Sequence, residues 1–151
     1  MNLTLADSLA PGAAGLEQLK AMIAAGGRPP IGDRLDFTLI EAGDGTAVFV
    51  GTPSQHAYNP IGTVHGGYAA TLLDSACGCA VHSKLSATQG YTTLELKVAY
   101  HTAMTDRTGP IRAEGRVITF GRRAAFAEAR ILGAAGRIYA TATSTLLVFE
   151  R

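Results

Sequence analysis

The spacing of hydrophobic and polar positions changes period several times along the chain. Leu16, Leu19 and Ile23 recur at helical spacing with Lys20 between them, which predicts a short amphipathic helix over residues 16–25. Gly26-Gly27-Arg28-Pro29-Pro30 ends it and reads as a link. The period then drops to two. Leu35, Phe37 and Leu39 alternate with polar neighbours, Gly43-Asp44-Gly45 is a turn, and Thr46 to Val50 is apolar and β-branched, so the stretch predicts a hairpin. A long segment from Asn59 to Leu85 follows. It opens with the breakers Asn59-Pro60 and Gly62, passes through His65-Gly66-Gly67, and becomes apolar or small nearly all round; from Tyr68 to His82 the only charged side chain is Asp74. A helix apolar on every side is expected to be buried with the rest of the domain around it. After Gln89-Gly90 the alternation returns: Leu94, Leu96, Val98 and Tyr100 fall on one face, Thr93, Glu95, Lys97 and Ala99 on the other. Three further strands are predicted at 111–120, 124–132 and 137–149, split by Gly121-Arg122-Arg123 and by the turn from Gly133 to Gly136.

A hairpin, one long helix and four strands joined by short turns describe an α+β fold, with an antiparallel sheet curled around a single helix. The other face of such a sheet needs cover. The alanine-rich strand from Ala124 to Ala129 carries little bulk with which to shield itself, which suggests a partner subunit. Residues 1–30 are read as an N-terminal helical segment and linker, and 31–151 as the main domain.

Composition narrows the function. With 47% hydrophobic and 17% charged residues the chain is globular rather than disordered. A net charge of +1 makes no nucleic-acid footprint, and no run is long enough to span a membrane. The first residues lack a basic segment ahead of a sustained apolar run, so no leader is expected. Cys77 and Cys79 lie two apart in the helix, point to different faces and cannot bond to each other there. A cytoplasmic protein with reduced thiols is the simplest expectation.

The candidate chemistry centres on Asp74. An ionisable carboxylate in an apolar helix is costly unless something pairs with it. Gly67, Ala70, Thr71, Asp74 and Gly78 form a small-residue stripe, so the acid sits in a trough that a backbone or ligand can approach. As a general base or a nucleophile it suits attack on a carbonyl; as a structural acid it would be satisfied by hydroxyls or backbone. A helix start presents unpaired N–H groups and partial positive charge, and glycine lets a ligand come close. His65-Gly66-Gly67 therefore reads either as an oxyanion site or as tight packing of the helix start. His65 is read as a hydrogen-bonding brace before a base, Asn59 as a turn former, and Arg122 and Arg123 as residues that keep a hairpin soluble or bind phosphates. No G-x-S-x-G elbow, metal-ligand spacing or G-x-G-x-x-G is present, and His82 is badly placed to activate Cys77.

Asn59, His65-Gly66-Gly67 and an acid nine residues after the histidine, followed by the strand Thr93–Tyr100, the Gly121-Arg122-Arg123 hairpin and the closing run from Gly136 to Thr145, resemble the hotdog-fold acyl-CoA thioesterases of the phenylacetic-acid-degradation (PaaI-like) group. The resemblance implies hydrolysis of acyl-CoA to free acid and CoA, sheets joined edge to edge in a homodimer, and assembly to a homotetramer. It implies Asp74 as base or nucleophile and the Gly66 N–H as oxyanion donor. Asn59 would hold the water or thioester, Thr93, or Thr92 if the register slips, would stand beside the acid, and Gly67, Gly121, Arg122 and Arg123 would lie along CoA. No cofactor beyond the CoA of the substrate and no metal is implied. Tyr68, Phe49 and Ile61 are candidates for the acyl pocket. Gly66 and Asp74 are eight residues apart, about 12 Å along one helix, whereas a reacting carbonyl must lie about 3 Å from both groups. If both act, each site takes one from each subunit. A hotdog hydratase or dehydratase, or a non-catalytic acyl-CoA binder, is the alternative.

Overall fold

The computed structural model describes residues 5–151; residues 1–4, which open the stretch read for a leader, lie outside them. Three short helices precede the sheet: α1 (Leu5–Leu9), α2 (Gly15–Ala24) and α3 (Pro30–Leu35). α2 is the expected amphipathic helix and buries Gln18, Leu19 and Met22. α3 falls where a link ending in a strand was expected. Pro30 occupies its first turn, where the preset φ of proline favours a helix and its missing N–H costs nothing. Asp36 then leaves in the left-handed conformation (φ 55°), its carboxylate held 2.8 Å from Arg28. Leu35 thus ends a helix, and the first strand begins at Phe37.

The hairpin consists of β1 (Phe37–Gly43) and β2 (Thr46–Gly51) around Asp44-Gly45, with Gly45 in the left-handed region at φ 76°, which glycine adopts without strain. α4 (Gly66–His82) follows, then β3 (Gln89–Tyr100), β4 (Ile111–Phe120), β5 (Ala124–Leu132) and β6 (Ile138–Glu150). All neighbours are antiparallel, in the order β1-β2-β4-β5-β6-β3, so β1 and β3 are the edges. α4 lies across one face and meets all six strands, which is the hotdog arrangement.

Small residues bring helix and sheet together. Ala113 of β4 and Ala125, Ala127 and Ala129 of β5 are buried beneath α4, and a Cβ at Gly115 would collide with the Ala76 carbonyl. Over them α4 lays Leu72, Leu73, Ala76, Ala80 and Val81, all with no exposed surface; each leucine contributes about 1.5–3 kcal/mol by leaving water. The alanines of β5 therefore serve the helix, and their small size is no argument for a partner subunit. The opposite face carries Phe126, Glu128 and Arg130 from the same strand, with surface ion pairs Arg130–Glu114, Arg112–Glu41 and Arg116–Glu128.

Two further expectations change. β3 has a bulge between Thr93 and Glu95 that leaves Leu94 60% exposed. The extra residue reverses the alternation. Tyr91 and Thr93 turn toward α4 before the bulge, Leu96 and Val98 after it. α4 itself is not buried all round: Gly67 is exposed and Ala70, Thr71 and Asp74 are half-buried, while Gly78 is covered by the Tyr91 ring.

Candidate active site

The loop before α4 sets the angle at which the helix begins. Asn59 Oδ1 accepts the N–H groups of Ile61 (3.0 Å) and Thr63 (3.2 Å), and its Nδ2 donates to Thr63 Oγ1 (2.9 Å). Asn59 thus closes the loop as a turn former, with both ends of its amide engaged there. The Val64 N–H then donates to the Met104 carbonyl and the His65 N–H to the Ala57 carbonyl, which ties the segment to the strand-end loop and to its own start.

His65 is the N-cap of α4. Its backbone is extended (ψ 136°) and its Nδ1 accepts the Gly67 N–H at 2.7 Å. An imidazole that accepts at Nδ1 while neutral carries its proton on Nε2. The ring therefore caps the helix start in this structure. Each glycine of the motif has a steric reason. A Cβ at Gly67 would lie 2.9 Å from His65 Nδ1, and one at Gly66 would lie 2.9 Å from the Tyr100 hydroxyl. Gly66 is not in the left-handed region, and its N–H meets no acceptor among the described residues.

Two turns further along, Asp74 Oδ1 accepts from Thr93 Oγ1 at 3.0 Å; Oδ2 has no partner among the described residues. The carboxylate is half-buried, less enclosed than an all-apolar helix implied. Its negative field acts on its neighbours. Burial, reinforced by Asp74, pushes the Cys79 thiol up to about 12, and burial with Asp74 and Glu128 does the same for Cys77. Burial first, then Cys79 and Asp74, also raises the Tyr91 phenol well above its usual range. Neither cysteine is a thiolate near neutral pH, which removes both as nucleophiles.

The structure brings Asp74 together with Thr93, and His65 with Gly67, but in one chain it leaves these two pairs at different places along α4. Gly121, Arg122 and Arg123 form the β4–β5 turn; both guanidiniums are exposed, and neither enters an ion pair among the described residues. Register places that turn at the same end of the sheet as Thr93, since Ala125 pairs with Leu146 and Leu146 with Thr93. Two strand spacings, about 10 Å, separate the columns. Of the acyl-pocket candidates, Phe49 is fully buried against Phe37, Tyr68 is buried with its hydroxyl lacking a partner among the described residues, and Ile61 is 85% exposed. A cavity of about 280 Å³ does adjoin the helix start, lined by His65, Gly66, Tyr100, Met104 and Tyr139. Tyr100, absent from the sequence-derived site, donates from its hydroxyl to the Gly66 carbonyl at 2.8 Å. A larger depression on the opposite sheet face, about 790 Å³, holds none of the expected site residues. No cluster of potential metal ligands occurs among the described residues, and no helix there is long and apolar enough to cross a membrane.

Residues 61–140 match the family model of the thioesterase superfamily. Among solved structures, a protein described as from the thioesterase superfamily is 31% identical, with 90% of this chain and 98% of that one covered (TM-score 0.72). A conserved protein of Pseudomonas aeruginosa is 27% identical over 82% of this chain and 96% of its own (TM-score 0.75). A Streptococcus mutans protein, whose structure has acetyl-CoA bound, shares the fold at 22% identity over 76% and 90% (TM-score 0.69). Comparison with curated proteins finds no match.

Proposed function

Because the chain belongs to the thioesterase superfamily, we propose that it hydrolyses acyl-CoA thioesters to the free acid and CoA, in the manner of the PaaI-like group. Asp74 acts at the thioester carbonyl carbon, either activating water or attacking directly, and Thr93 holds its Oδ1 so that Oδ2 faces the reacting group. The Gly66 N–H stabilises the oxyanion as charge moves onto the carbonyl oxygen. His65 braces the helix start, and Asn59 shapes the loop before it. The observation that carries the reading is the Thr93–Asp74 pair on the accessible stripe of the central helix. Acetyl-CoA in the Streptococcus mutans neighbour agrees with a CoA ester as substrate.

One protomer holds the two key groups eight residues apart on α4, about 12 Å, too far to serve one carbonyl. Each site therefore joins Gly66 of one subunit to Asp74 of its partner. β3, a twelve-residue edge strand with an unpaired side, is the edge through which two sheets join. The hydratase reading needs a histidine working with an acid, but His65 spends Nδ1 on the helix cap.

Thiol release from a panel of acyl-CoAs tests the assignment. Wild type is expected to turn over at least one ester, and Asp74→Asn to lose roughly 100-fold or more, the scale of a lost positioned base. Near-normal turnover by Asp74→Asn would move the chemistry elsewhere.

A further inference from the structure

We infer that Tyr100 is a positioning residue for the oxyanion donor: from the edge strand it clamps the Gly66–Gly67 peptide and so aims the Gly66 N–H. The inference rests on the reading of Gly66 as that donor.

Two adjacent glycines are the least constrained backbone a chain can offer, so a donor built on them must be held by something else. The peptide planes on either side of the Gly66 Cα show what holds it. In the His65–Gly66 plane, the carbonyl accepts the Tyr68 N–H at 3.0 Å. In the Gly66–Gly67 plane, the N–H donates to His65 Nδ1 at 2.7 Å and the carbonyl accepts the Tyr100 hydroxyl at 2.8 Å. Three of the four polar groups are tied, and the fourth is the Gly66 N–H. Two of the ties come from within three residues and move with the helix start. The third comes from Tyr100, 34 residues away. The first helical carbonyl already accepts the N–H four residues on in any α-helix, so this bond is not needed to satisfy it. What it adds is a fixed relation between the end of β3 and the start of α4.

The ring adds a steric stop. A Cβ at Gly66 would lie 2.9 Å from the Tyr100 hydroxyl oxygen and 3.0 Å from Cζ, so the ring lies against the open side of the glycine. Tyr100 also lines the cavity of about 280 Å³ that Gly66 borders, which places the clamp beside the space next to the donor. Yet it is 57% exposed, so the hydroxyl can be removed with little effect on the core.

The test is Tyr100→Phe, which keeps the ring and removes the tie. Thiol release with an acyl-CoA that wild type hydrolyses is expected to show kcat reduced about tenfold at nearly unchanged KM, with Tm within about 2 °C of wild type. A misaimed donor costs less than the roughly 100-fold of a deleted one. A second readout is the infrared carbonyl stretch of the thioester bound to Asp74→Asn. Adding Tyr100→Phe should shift it toward the unbound frequency, because a looser donor polarises the carbonyl less. Wild-type kcat in Tyr100→Phe overturns the inference and leaves the proposed activity standing. A rise in KM with no change in kcat or in the carbonyl stretch also overturns it, since the tyrosine then only binds substrate. Absence of hydrolysis by wild type with every ester overturns the activity itself and this inference with it.

Discussion

Cys77 and Cys79 show what burial beside a carboxylate does to a single side chain. Burial, which opposes the thiolate, pushes both thiols up to about 12, and the nearby Asp74 carboxylate adds to it. Between about pH 9 and 12 the unfolded chain releases these protons while the folded chain keeps them. The unfolded state then binds fewer protons, so stability falls as pH rises through that window and is intact below it. We expect Tm to be level from pH 7 to about 8.5 and to fall from pH 9 to 11. Cys77→Ala with Cys79→Ala should start from a lower Tm but decline less steeply. An unchanged slope would assign the alkaline loss to the Tyr68 and Tyr91 phenols instead, both also pushed up chiefly by desolvation. The spacing of the cysteines showed that they could not pair with each other. It did not show how deeply each lies, because that depends on which strands cover α4.

At the scale of an element, the β4–β5 turn is a short hairpin whose two arginines reach solvent at the Thr93 end of the sheet, with no ion pair among the described residues. Exposed arginines that form no ion pair are available to an anionic ligand, and two guanidiniums suit the phosphates of CoA. Arg122→Ala with Arg123→Ala is expected to raise KM for acyl-CoA with little change in kcat. It should leave turnover of a truncated thioester without the nucleotide unaffected, because such contacts are equal in ground and transition states. Equal losses on both substrates would make the hairpin a purely structural element. The turn was legible from Gly121-Arg122-Arg123 and the alternation on either side. Its nearness to Thr93 was not, since β5 reaches β3 only through β6.

For the whole molecule the prediction concerns sharing of sites between subunits. Asp74→Asn disables one half-site. Gly66→Pro removes the N–H of the other, at a first-turn position outside the left-handed region where proline fits a helix. The Tyr100 ring must swing aside for the proline, so folding and pairing of this variant are checked first. Each variant alone is expected to be nearly inactive. Co-expressed, random pairing puts about half the dimers in mixed form, and in each of these one site inherits both lesions and the other neither. About a quarter of all sites should then regain wild-type rate. A mixture of folded, paired subunits as inactive as its parents would mean that sites are not shared.

The amino-acid sequence by itself determined the order of α2, the hairpin, α4 and the four later strands, though not α1 or α3; it also determined the strands from Ile111 onward to within a residue, the start of α4 at His65-Gly66-Gly67, and Asp74 as its single acid. These depend on neighbours a few positions apart: side-chain period, glycine and proline at turns, and a histidine that caps the N–H two residues on. The tertiary structure alone decided which partners meet across the fold. The bulge at Leu94 turns Thr93 toward Asp74, where plain alternation had placed it on the face opposite Leu96 and Val98. Packing decided that the alanines of β5 lie under α4, that Asp74 keeps access to solvent, and that Tyr100 reaches the Gly66 carbonyl. An extra residue in a strand leaves almost no mark on local composition, but it turns every later side chain to the other face. Long-range register is therefore settled only when the sheet closes around the helix.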